Sequence, residues 1–173
     1  LSFDEFFVIP IGVLRQRQEW QGDPGVPIAI DRERLNHFVD ALPYQLTSAQ
    51  QRVLDEITGD LQSDRPMSRL LQGDVGSGKT VVAAAAALQT VASGCQVAVM
   101  APTELLAEQH FDNFRGWFEP LGVGVGWLSG RVKGKARGEV LRRLTGAELQ
   151  VVIGTHALFQ EDIAFRRLGL IVI

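Results

Sequence analysis

An α/β domain built on a parallel sheet is the fold this sequence predicts, and three observations predict it. Short apolar runs alternate with amphipathic helical patterns from Thr47 onward. A glycine-rich stretch at residues 73–80 stands between one such run and a helix. The remaining candidate motifs fall where a strand hands over to a helix, at the carboxyl end where open parallel sheets bind their ligands.

The elements follow in order. Ser2-Phe3-Asp4-Glu5 has the pattern of a capping box, and Phe3, Phe6 and Phe7 recur at helical spacing until Pro10 and Gly12 interrupt. Residues 21–27, with two glycines and two prolines, form a loop, and 31–42 a helix closed by Pro43. Residues 1–43 therefore read as a helical connector, and residues 44–173 as the α/β domain. Thr47 opens a helix whose apolar face is Val53, Leu54, Ile57 and Leu61. Strands are expected at 69–72, 96–100, 122–128, 149–153 and 168–173, with helices at 79–92, 103–117, 133–144 and 155–159. The alanine run at 83–87 suits close packing of its helix on the sheet.

Composition narrows the class. The 173 residues are 46% hydrophobic and 21% charged, with a net charge of −3, ordinary values for a folded domain. A single cysteine, Cys95, excludes a disulfide framework and points to a reducing compartment, so a cytoplasmic location is expected. No run is long and apolar enough to span a membrane. Residues 131–143 hold Arg131, Lys133, Lys135, Arg137, Arg142 and Arg143 against Glu139, a local balance of +5 that suits a phosphate backbone or a solvated helix face. His37, His110 and His156 are too scattered for a metal cluster.

The strongest chemistry lies in Gly73-Asp74-Val75-Gly76-Ser77-Gly78-Lys79-Thr80, which fits G-x-x-x-x-G-K-[ST]. Its glycines let successive N–H groups converge on one anion, and the following helix adds its unpaired N–H groups and positive dipole end. Lys79 is expected on the β- and γ-phosphates of a nucleoside triphosphate, and Thr80 on Mg²⁺. Gln50 completes a Thr47-x-x-Gln50 capping box; its amide could equally pair with an adenine edge. Ala101-Pro102-Thr103-Glu104 and Gly154-Thr155-His156 each stand at a strand-to-helix junction. Both suit either a helix cap or a grip on a nucleic-acid phosphate. The Gly122-x-Gly124-x-Gly126 run is not a dinucleotide fingerprint, because Ser129 stands where its third glycine belongs.

Together with Leu42-Pro43-Tyr44, Leu128-Ser129-Gly130 and Lys133-Gly134-Lys135, these blocks resemble the first motor domain of superfamily-2 helicases, and within them the RecG type. The resemblance runs from about Leu42 to Ile173, and the Mfd-type translocases are the close alternative. It implies a RecA-like P-loop NTPase domain that uses ATP and Mg²⁺, working as a monomer on branched or duplex DNA in recombination and repair. Gly73, Asp74, Val75, Gly76, Ser77, Gly78, Lys79 and Thr80 would hold the nucleotide, Lys79 with a catalytic role and Gln50 on adenine. Pro102, Thr103, Arg131, Lys133, Gly154 and Thr155 would meet DNA. Pro10 departs from a helix expected to be continuous. The family also places an Asp-Glu pair after the strand that here ends at Ile173, so these residues alone are expected not to hydrolyse ATP. A non-hydrolysing nucleotide-binding module is the reading from a different class.

Overall fold

The computed structural model describes residues 24–173; the helix expected around residues 2–15 lies outside the described residues. Among the described residues three helices come first, α1 (Arg32–Asp40), α2 (Ser48–Leu61) and α3 (Lys79–Ala92). Then β1 (Gln96–Met100), α4 (Glu104–Phe118), β2 (Val125–Leu128), α5 (Gly134–Thr145), β3 (Val151–Gly154) and β4 (Leu168–Val172) alternate. Short 3₁₀ turns occupy Glu119–Leu121 and His156–Phe159. The four strands are all parallel, in the order β2-β3-β1-β4. Crossover helices are what a parallel sheet requires, and α4 and α5 supply them.

The pleat sorts the strand residues between two apolar layers. Val97, Val99, Val151 and Ile153 face α3 and α4, where Phe114 and Phe118 fill the space. Ala98 and Val152 join Leu128 in the opposite layer, with Leu144 and Leu158. Burying a side chain of Leu or Phe size contributes roughly 1.5–3 kcal/mol, so both layers stabilise the sheet. Residues 84–87 are buried alanines, and their small side chains let α3 lie close to the strands.

Helix starts obey the local rules. Thr47 and Gln50 form the reciprocal capping box at α2. Asp31 caps α1 and Thr103 caps α4, each accepting from the N–H three residues on. Residues 28–42 are fastened to the α/β body. Ile28, Phe38 and Leu42 enter the layer around α3. The buried Gln89 accepts from the Asp31 N–H at 2.7 Å and donates to the Asp31 carbonyl at 3.1 Å.

A second buried glutamine, Gln96, ties the sheet's entrance together. Its amide donates to the carbonyls of Leu144 and Leu149, both at 2.8 Å, and accepts from the N–H groups of Arg166 and Arg167. Every polar valence it can use toward the backbone is satisfied.

The strand expected at 69–72 does not form. This stretch is irregular, and Leu70 is 86% exposed. A strand exists only by pairing, and a groove of about 780 Å³ separates residues 66–70 from β4.

Candidate functional site

The glycine loop stands at the carboxyl end of the sheet and feeds directly into α3. Gly76 and Gly78 have φ of 81° and 78°, a left-handed conformation that glycine adopts without strain. Gly78 is the N-cap of α3, so Lys79 and Thr80 are its first residues, whose N–H groups have no intrahelical partner. A Cβ at Gly78 would collide with the Gln50 amide nitrogen, and one at Gly73 would press on the Ser77 hydroxyl. The glycine spacing read from the sequence therefore has a steric reason at each of these positions.

The loop is held by its own lysine. Lys79 Nζ donates to the carbonyls of Gly73 at 2.7 Å and Asp74 at 2.8 Å, and to Ser77 Oγ at 3.4 Å. Gln50 braces the other side, its Nε2 donating to the Ser77 carbonyl at 2.8 Å while its Oε1 accepts from the Thr47 N–H. The capping role is realised, and the same amide couples α2 to the loop. Val75 stands fully exposed at the tip.

Two hollows flank the loop. One, of about 360 Å³, lies between it and the start of α2, lined by Thr47, Gln50, Gln72, Asp74 and Lys79. The other, of about 260 Å³, lies at the ends of β1 and β4 and is bordered by Lys79, Thr80, Met100, His110 and Phe114. The donor set fits a Mg²⁺-bound triphosphate on one side: a lysine, a hydroxyl and free helix N–H groups converge there. Among the described residues, no carboxylate lines the second hollow.

Adjacent strands bring the other candidate residues together. The Ala101 N–H donates to the Gly154 carbonyl at 2.9 Å, so the turns after β1 and β3 abut. Pro102 and Thr103 are exposed there, whereas Gly154 is buried and Thr155 is only 3% exposed. A Cβ at Gly154 would overlap the Leu128 carbonyl. Packing between β2 and β3 thus accounts for that glycine, a constraint invisible along the chain.

The basic run is less bare than its sequence suggests. Arg131, 86% exposed, pairs with Glu104 at 2.5 Å. Arg137 pairs with Asp162 at 2.7 Å, and Arg142 with both Glu139 and Glu148. Hydrogen bonding to Arg137 holds the Asp162 carboxyl below its usual range, and Arg142 does the same for Glu139. Lys133 and Lys135 are exposed and make no ion pair with another described residue. The local balance of +5 is thus reduced by acids from outside the run, Glu104, Glu148 and Asp162, which sequence proximity alone did not assign to it.

Sequence reasoning missed His110. Its Nδ1 is buried without a hydrogen-bond partner among the described residues, and burial pushes the imidazole below its ordinary value. Its position on α4, bordering the hollow beside Thr80, is a tertiary fact with no local signature.

A parallel sheet with a phosphate-type loop at its carboxyl end and paired junctions beside it defines the P-loop nucleotide-binding class. The model of the DEAD/DEAH box helicase family matches residues 47–173, and the chain belongs to that family. Within it, the chain is 49% identical over its whole length to the ATP-dependent DNA helicase RecG of Haemophilus influenzae, and 49% to that of Escherichia coli K12. It is 45% identical over 98% of its length to RecG of Bacillus subtilis. In each case it spans about a quarter (25%) of the relative's length. The structure of RecG bound to a three-way DNA junction superposes on 98% of this chain, and 23% of that one, with a TM-score of 0.90 at 40% identity. A hypothetical ATP-dependent RNA helicase from Sulfolobus tokodaii, 20% identical over 75% of this chain and 35% of its own, shares the fold with a TM-score of 0.54. The RecG-type resemblance is the one these relatives carry, and the sheet is RecA-like.

Proposed function

We propose that the chain is the nucleotide-binding part of an ATP-dependent DNA motor that remodels branched DNA. The observation that carries this reading is the loop at residues 73–80, with its left-handed glycines, its lysine in reach and its exit into α3. Triphosphate oxygens would take the N–H groups at residues 78–80, and Lys79 would leave the Gly73 and Asp74 carbonyls for the β- and γ-phosphates. Thr80 would hold Mg²⁺, which, when bound, neutralises phosphate charge. Gln50 borders the hollow between α2 and the loop, so an adenine there would exchange the Ser77 carbonyl for its own edge.

The DNA side of the proposal rests on the paired junctions. Exposed Pro102, Thr103, Arg131 and Lys133 would meet the phosphate backbone directly. Gly154 and Thr155 are buried, so their part in DNA binding would be to set the turn that supports Ala101. The junction-bound RecG structure supports branched DNA as the substrate class. Residues 1–43 would act as a connector, and the protein would work as a cytoplasmic monomer. Among the described residues no helix is long and apolar enough to cross a membrane.

Among the described residues no carboxylate borders the hollow beside Thr80, and on this reading these residues by themselves would bind Mg²⁺-ATP without turning it over. Lys79→Ala in the natural polypeptide that carries this chain tests the proposal. DNA-stimulated ATP hydrolysis should fall by about a hundredfold or more, while the melting temperature without nucleotide holds. Unchanged hydrolysis would remove the loop from the mechanism. DNA-stimulated turnover by the 173 residues alone, abolished by Lys79→Ala, would overturn the claim that they only bind.

A further inference from the structure

One ion pair at the proposed DNA face is not explained by stability. Arg131, in the turn after β2, pairs with Glu104, the first residue of α4, at 2.5 Å. The Arg131 side chain is 86% exposed and that of Glu104 31%. So open a pair is screened by salt and adds little to the fold. A carboxylate in the first turn of a helix complements its dipole, yet that role needs no arginine. The arginine itself stands in a fixed turn. Its N–H donates to Oγ of the buried Ser129 at 3.3 Å, and the Val132 N–H donates to the Ser129 carbonyl at 3.0 Å.

Charge around the pair is unevenly met. Lys133 and Lys135, just beyond it, make no ion pair with another described residue. Arg131 is countered, and its acid adjoins Pro102 and Thr103, which are exposed at the same junction. A DNA phosphate approaching these residues therefore meets a carboxylate as well as the guanidinium, and must displace or share Glu104 to win Arg131. Before binding, the pair carries no net charge. It does not draw the backbone, and on its own account it releases no counterion from DNA.

We infer that Glu104 is a built-in competitor for DNA: it masks Arg131 and lowers the affinity of the DNA face for a phosphate backbone. The inference rests on the proposed reading of Pro102, Thr103, Arg131 and Lys133 as phosphate contacts, and adds the residue that limits their hold. A backbone gripped at Arg131 alone gains little, because the exposed pair it breaks matches the exposed contact it makes. A backbone already seated on Pro102, Thr103 and Lys133 takes the arginine with less loss. The mask makes the face weak toward stray anions and keeps DNA releasable, as a motor that must let go of its track requires.

The test is the salt dependence with which the natural polypeptide that carries the chain binds a fluorescent linear DNA duplex, without nucleotide. In a plot of log affinity against log salt, Glu104→Gln should steepen the slope by about 0.9, the increment of one phosphate contact on duplex DNA. It should also raise affinity about two- to fivefold at low salt, the factor an exposed ion pair commands. Glu104→Asp keeps the charge and should keep the wild-type slope. Glu104→Gln combined with Arg131→Gln leaves the position as neutral as before, so its slope should also match wild type. If Glu104→Gln does not fold, Glu104→Ser, a residue suited to helix starts, replaces it with the same expectation. A wild-type slope after loss of the Glu104 charge would overturn the inference. So would weaker binding there, which would make the carboxylate a support for DNA, or equal steepening in Glu104→Asp. A slope shallower by about 0.9 in the double variant would show Arg131 acting unmasked and would overturn it too. Failure of the wild-type protein to bind DNA at all would bring down the DNA reading itself, and this inference with it.

Discussion

The two sides of the central strand β1 are built to different standards. Toward β3, Val97, Val151 and Ile153 are fully buried, and Gln96 donates to the buried carbonyls of Leu144 and Leu149 while also accepting from the N–H groups of Arg166 and Arg167 just before β4. Toward β4 the structure opens. Ile171 is 48% and Ile173 81% exposed, and they face a groove across which residues 66–70 run unpaired. The junctions proposed to meet DNA rest on the first, rigid side. The phosphate-type loop leaves from the second and is held by two side chains, Gln50 and Lys79. A surface that must hold its shape stands on a finished core, while a loop that must exchange partners hangs from replaceable bonds.

The comparison can be broken most forcefully at Gln96. Gln96→Leu strands the buried carbonyls of Leu144 and Leu149, each worth about 1–3 kcal/mol when unpaired, and frees the part-buried N–H groups of Arg166 and Arg167, so chemical denaturation should reveal a loss of about 2 kcal/mol or more. A loss under about 1 kcal/mol would mean the rigid side does not depend on this hub. Gln50→Ala on the other side should cost about 1 kcal/mol, because the groups it releases at Thr47 and Ser77 are reached by water. It should also loosen the loop, seen as faster amide exchange at residues 73–78; unchanged exchange would deny Gln50 its bracing role.

The pH dependence supplies a finer test. Burial depresses the folded-state affinity of His110 for a proton. The unfolded state then binds more protons, so stability falls as pH drops below about 6.5, the ordinary histidine value, and is recovered above it. Melting curves between pH 5 and 7 should show a shallower slope in His110→Asn than in wild type. Parallel slopes would mean another group titrates. The smallest effect belongs to the open edge, where Ile171→Ser should change stability by no more than about 0.5 kcal/mol. A larger loss would show that the β4 side is already a closed core in solution.

Much of this was legible in the sequence because it is local. The capping box at Thr47, the alternation of strands with helices, the loop glycines and the buried alanines each follow from spacing a few residues long. What stayed hidden is long-range. Residues 69–72 have the composition of a strand, yet pairing is not a property of composition, and β4 does not reach them. Arg137 and Arg142 read as free charge until the fold brought Asp162 and Glu148 to them. Thr155 reads as a contact residue until β3 places it inside. Gln96 and Gln89 carried a faint signal, each being a long amide within an apolar run. His110 carried none, since its burial is set by elements distant in sequence.

The clasp of Lys79 on the Gly73 and Asp74 carbonyls has one more consequence. An empty phosphate cradle with a bare lysine would be a trap for any passing anion, and free phosphate is abundant wherever nucleotides are consumed. Here the lysine is already satisfied, so an anion must replace two carbonyls before it gains anything from the ammonium. A lone phosphate, with few contacts to offer, competes poorly; a ligand that also engages the helix N-terminus and the Gln50 side competes well. On the proposed nucleotide reading, the bonds that close the loop would favour a ligand with several contacts over a lone phosphate.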